Sequence, residues 1–152
     1  AEATPWGVLV LFGGGLSLAA AIGSTGLGDW LGGQMASISH WPLVLLVATV
    51  VAFVILLTEL TSNTATAATF LPVLGALALV MGQDPLILAV PAALAASGAF
   101  MLPVATPPNA IVYGSGAIQI TDMVRAGVWI NLLFTVLITA ASRLLLPLVF
   151  GV

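Results

Sequence analysis

The sequence predicts an all-α membrane protein in which transmembrane helices are joined by a re-entrant helical hairpin and a broken helix. Three observations predict it. Of 152 residues, 61% are hydrophobic and only 5% are charged, whereas soluble domains carry about 25% charged residues. Two basic and five acidic residues could not cover a water-soluble fold of this size, and the mean hydropathy is +1.27. The second observation is a polar interruption, Thr58 to Thr66, reading TELTSNTAT between two apolar runs. The third is PVATPPNA, Pro103 to Ala110, where three prolines fall within six residues and cannot continue an α-helix.

The same counts exclude several functions. There are too few basic residues for a nucleic-acid surface. Cysteine is absent, so there are no disulfides, thiolate metal sites or cysteine nucleophiles, and the single His40 rules out a multi-histidine metal site. No serine, histidine and aspartate arrangement for hydrolysis is present, so no enzyme is expected. The chain opens Ala1-Glu2-Ala3-Thr4-Pro5, without Met or a basic n-region. It does not open like a signal peptide and reads as a piece of something longer.

Residues 1–152 are expected to form one membrane domain. A first span over 6–22 carries Gly13-Gly14-Gly15, which lets a neighbouring backbone approach closely in a bilayer. A glycine-rich stretch follows, with Trp30 and Trp41 suited to the interface; a short helix over 27–38 should lie at the surface. The hairpin occupies 42–82, with arms at 43–60 and 65–81. Gly82 to Pro85, GQDP, is a turn. A broken span covers 86–119: an alanine-rich helix to Leu102, the proline break, and a short second piece over 111–118. Ser97-Gly98 falls in the first helix and serves packing. QITDMVR is a surface turn with Thr121 or Asp122 as N-cap. The last span covers 123–150, with Arg125 at its start and a snorkelling Arg143 near its end.

Arg125 places that end in the cytoplasm by the positive-inside rule. The N-terminus is then inside and the C-terminus outside. The crossings are 6–22, 86–119 and 123–149, and the hairpin enters and leaves from the outer face. The expected location is the cell membrane, multi-pass, and the inner membrane in a bacterium.

Each interruption has two readings. TELTSNTAT is either a solvent loop between ordinary spans or the polar tip of a re-entrant hairpin. Its composition favours the tip. Thr58, Thr61, Ser62, Asn63, Thr64 and Thr66 bear neutral oxygens, which suit a partly dehydrated alkali cation. The second arm starts at the tip, where free N–H groups and the helix dipole favour an anion. PVATPPNA is either a kink or surface loop, or the unwound centre of a broken span. The unequal flanks favour the latter, and unwound backbone at membrane depth belongs where it lines a cavity. Two such breaks in one chain match the layout of secondary transporters. Glu59 is a proton or cation site, or else a hydrogen-bonded structural carboxylate near the tip. The cost of an unpaired charge there favours the structural role.

WGVLVLFGGGLSLA, TELTSNTATA and MLPVATPPNAIVYGSG together resemble the divalent anion/sodium symporter family, the dicarboxylate transporters. The similarity runs from about Trp6 to Phe150. The resemblance implies sodium-coupled uptake of C4-dicarboxylates such as succinate, of citrate, or of sulfate. It implies two inverted repeats per protomer, each with a Ser-Asn-Thr hairpin tip and a broken helix, working as an elevator against a dimeric scaffold. Carried onto this chain, Ser62, Asn63 and Thr64 match one substrate-binding tip. Thr58, Asn63 and Ser62 match sodium ligands, and Ala105 matches a backbone sodium ligand. Thr106 and Pro107 match the substrate side. Bound sodium and helix ends would neutralise the anion, so no arginine is required.

The chain carries one tip and one break, where the family has two of each, and so matches the C-terminal inverted repeat. The expected partners are sodium, the divalent anion, the lipid bilayer, and the missing N-terminal repeat or a second copy of this chain, in a homodimer. Two other readings stand beside this one: a sodium-independent anion transporter relative, and a non-transporting membrane fragment or subunit.

Overall fold

The computed structural model describes residues 10, 13, 14, 17, 20, 21, 24–26 and 41–151. The interfacial helix expected over 27–38 lies outside the described residues. So does most of the span expected over 6–22, whose described positions Val10, Gly13, Gly14, Ser17, Ala20 and Ala21 are helical.

Five helices follow: α1 (Leu43–Thr58), α2 (Asn63–Val80), α3 (Leu86–Ala95), α4 (Pro107–Gly114) and α5 (Ile120–Phe150). Among the described residues there is no strand. Pro42 precedes α1, where its missing N–H costs nothing. Valine and isoleucine at Val47, Val50, Val51, Val54 and Ile55 form the buried stripe of α1. That stripe meets Leu74 and Ala78 of α2, Leu88, Ala92 and Ala95 of α3, and Ile138 of α5. Alanines on α3 let it pack on both α1 and α2, which touch each other only lightly, while α5 covers α1 and α3.

The turn after α2 follows from its residues. Gly82 takes φ +70, its N–H bonds to Leu79 O at 2.9 Å and that of Gln83 to Ala78 O at 2.9 Å, the Schellman pattern that a glycine makes possible. Asp84 Oδ1 then accepts the Leu86 N–H at 2.8 Å and starts α3.

Several boundaries differ from the sequence expectation. The second piece of the broken helix runs over Pro107–Gly114, not 111–118, because Thr106 caps it and Pro107 and Pro108 suit a first helical turn. The first piece of the broken helix ends at Ala95, not at Leu102. Ser97-Gly98 therefore lies beyond the helix, although Gly98 does serve packing: a Cβ there would lie 2.4 Å from the Phe134 ring. The last helix starts at Ile120 with Gln119 as N-cap, and Asp122 is the third helical residue of a capping box. The Gln119 N–H donates to Asp122 Oδ2 at 3.3 Å, which satisfies the end of the helix without Thr121.

Among the described residues, two helices are long and apolar enough to cross a membrane, Asn63–Val80 with 18 residues and Ile120–Phe150 with 31. α1 has 16 residues and α3 has 10, short of the roughly 20 that span the hydrocarbon core.

Candidate functional site

The two interruptions come together. Thr61, Ser62, Asn63 and Thr64 line one cavity of about 600 Å³ with Pro103, Ala105, Thr106 and Pro107, a size in the range of small-molecule sites, roughly 300–1,000 Å³. Of the residues singled out in the sequence, Ser62, Asn63, Thr64, Ala105, Thr106 and Pro107 face this space. Thr58 does not line it. Thr58 is fully buried beneath the tip, where its hydroxyl donates to Asn63 Oδ1 and lies 3.0 Å from the Ala96 carbonyl oxygen. Thr58, Asn63 and the end of α3 are thus brought together by neutral oxygens.

The helix starts at the cavity differ in what they can offer. Ser62 is the N-cap of α2 in an extended conformation, and its side chain makes no capping bond. The first N–H groups of α2 have no partner within their own helix and can bind an anion. α4 begins with Pro107 and Pro108, which have no N–H. Its next donor, the Asn109 N–H, is taken by Thr106 Oγ1 at 3.3 Å. Anion-binding backbone therefore comes from the Ser62–Thr64 side. From the α4 side comes the Thr106 hydroxyl, which accepts from Asn109 and keeps its own proton to donate.

The tip is braced from within. Thr61 Oγ1 donates to Leu57 O at 2.9 Å and lies 2.6 Å from Thr66 Oγ1. Glu59 is 3% exposed, and its carboxylate accepts from three successive N–H groups of the unwound segment. Oε1 receives the Phe100 N–H at 2.7 Å and the Met101 N–H at 2.9 Å. Oε2 receives the Met101 N–H at 3.1 Å and the Leu102 N–H at 3.0 Å. Asn131 Nδ2 on α5 adds a bond to Oε1 at 2.8 Å. This is the structural role that the sequence favoured for Glu59. It also explains the early end of α3, because these three N–H groups bond to the carboxylate and not to carbonyls of a continuing helix.

Asn109 was not singled out from the sequence. Its Nδ2 donates to Ala99 O and Leu102 O, both at 3.0 Å, so it holds the carbonyl side of the segment whose N–H side Glu59 holds. Asn131 was missed too. A polar residue within an otherwise apolar helix was the available signal for it.

Comparison with known proteins adds an independent finding. The family model for the sodium:sulfate symporter transmembrane region matches residues 1–150. A sodium-dependent dicarboxylate transporter, SdcS, of Staphylococcus saprophyticus is 50% identical over 152 residues, which is all of this chain and 29% of that relative. The SdcS proteins of Staphylococcus aureus strains MRSA252 and USA300 are each 49% identical over the same share. The chain thus spans under a third of the length of these relatives.

Proposed function

The chain belongs to the sodium:sulfate symporter family, and on that premise we propose that it is one inverted repeat of a sodium-coupled symporter for dicarboxylates or a similar divalent anion. The observation that carries this reading is the shared cavity, where an uncapped helix start meets neutral oxygens of a second break. The relatives named as sodium-dependent dicarboxylate transporters support the choice of ion and substrate.

In this reading Ser62, Asn63 and Thr64 hold one carboxylate of the substrate, with Thr106 and Pro107 on the opposite wall. Sodium is held by Thr58, Asn63 and Ser62 oxygens and the Ala105 carbonyl. To ligate it, the Thr58 hydroxyl turns its proton away from Asn63 Oδ1. A dianion entering without cations would be costly in a site lined by no arginine or lysine, so sodium binds first and substrate follows. Residues 42–82 form a re-entrant hairpin, and residues 86–119 a broken span. The remaining half of the substrate site comes from an inverted partner repeat, and the assembly moves as an elevator within a multi-pass dimer of the cell membrane.

The test is the thermal stability of the purified chain in mild detergent, in sodium against potassium or choline, with and without succinate. A sodium-specific rise in Tm that grows with succinate is expected. Equal Tm in all three cations would overturn the sodium site in this chain.

A further inference from the structure

A second polar feature lies at the other end of α1 from the tip. The start of α1, the turn after α2 and the last third of α5 enclose a cavity of about 210 Å³, lined among others by Leu43, Gln83, Ile87, Ser142, Arg143 and Leu146. Ser142 is 7% exposed, and its hydroxyl oxygen is buried with no hydrogen-bond partner. Arg143 is one of only two basic residues in the chain. Among the described residues, no carboxylate lines the cavity. A groove of about 450 Å³, walled by Ala48, Val136, Ala140 and Leu144, runs from it and shares Val44, Thr139 and Arg143 with it.

We propose that this cavity and groove bind an anionic phospholipid, its phosphate held by Arg143 and the Ser142 hydroxyl and one acyl chain lying along the groove. A phosphate oxygen supplies the acceptor that the Ser142 hydroxyl lacks, and the Arg143 guanidinium is well shaped to meet it. The groove decides between a lipid and a free anion. Its walls are almost wholly apolar, so they gain nothing from an inorganic ion and bury readily against an acyl chain. Depth agrees. Arg125 and Arg143 both lie on α5, and their separation along the helix is about 27 Å at roughly 1.5 Å per residue. That is close to the ~30 Å hydrocarbon core, so Arg143 sits at headgroup level when Arg125 is at the other surface. The inference is independent of the transport reading, since none of these residues lines the other cavity.

Native mass spectrometry of the protein purified from membranes in mild detergent tests it, with phosphatidylglycerol and phosphatidylcholine supplied in equal amounts. Phosphatidylglycerol should be retained over phosphatidylcholine by about tenfold. Arg143→Gln should abolish that preference and Ser142→Ala should reduce it, while Arg125→Gln leaves it intact. Arg143 is exposed, so its loss should not impair folding, and a second readout guards against that case. Phosphatidylglycerol should raise the Tm of the unaltered chain but not of Arg143→Gln, and free glycerol phosphate should raise neither. Equal retention of both lipids, no retained lipid because another segment fills the groove, unchanged retention in Arg143→Gln, or equal stabilisation by glycerol phosphate would each overturn the proposal.

Discussion

Glu59 and Asn63 use their oxygens in opposite ways. Both Glu59 oxygens are occupied by backbone N–H groups and Asn131. Asn63 faces the cavity, and among the described residues its side-chain oxygen meets only the Thr58 hydroxyl. The two residues should therefore fail differently. Asn63→Ala should cost about 1 kcal/mol of folding stability or less and weaken sodium binding about tenfold or more. Glu59→Gln should cost roughly 2–4 kcal/mol, since hydrogen bonds to a buried charge are lost or reversed. Denaturant titration in sodium-free buffer, set beside sodium titration of Tm, separates the two. Equal unfolding in both variants would make Asn63 structural. The polar identity of the tip was legible because its hydroxyls stand between apolar runs. The partners of Glu59 were not, because they lie 41 to 43 and 72 residues further along the chain, beyond any local pattern.

At the level of elements, α5 is held against the unwound segment at Gly127. A Cβ there would lie 2.6 Å from Met101 Cα and from Phe100 O. These are backbone atoms of the residues that Glu59 fixes, so α5 itself must move. Gly127→Ala should destabilise by about 2 kcal/mol or more, as overpacking of a fixed contact does. Gly98→Ala should cost less, because its obstacle is the Phe134 side chain, which can turn. Denaturant unfolding of both variants checks the order; equal cost would mean that Phe134 is as immobile as the segment. Gly82 revealed the end of α2 in the sequence, whereas Pro107 and Pro108 were read as part of the break although they form the first turn of α4. The end of α3 was hidden. Ala95 to Leu102 contains only Gly98 against a helix, a cost near 1 kcal/mol, and the deciding influence is the distant carboxylate.

For the whole molecule, the question is where the tip lies. Cysteine is absent, so Ser62→Cys carries the only thiol. In the re-entrant arrangement, a membrane-impermeant maleimide should reach it from one side through the cavity. Sodium with succinate should slow the reaction about tenfold or more, by occupying the space that the thiol faces. A thiol in an ordinary loop would react at the same rate with or without these ligands. The lipid-like character of the outside was fully legible from composition. Trp129, Leu133, Val136, Leu144 and Leu148 on α5 are exposed, as a chain with 5% charged residues requires.

The bonds of Glu59 also set an order for biogenesis. During synthesis the carboxylate emerges 41 residues before its first donor and 72 before Asn131. Until Phe100 to Leu102 leave the ribosome, nothing in the chain offsets the cost of taking that charge out of water. If residues 42–82 re-enter the membrane as a hairpin, the Glu59 end should therefore settle only when the later segment arrives, an earlier element returning to a later one. Nascent chains halted before Phe100 should let Ser62→Cys react at the same rate with or without sodium and succinate, and chains extended past Asn131 should react more slowly when both are present.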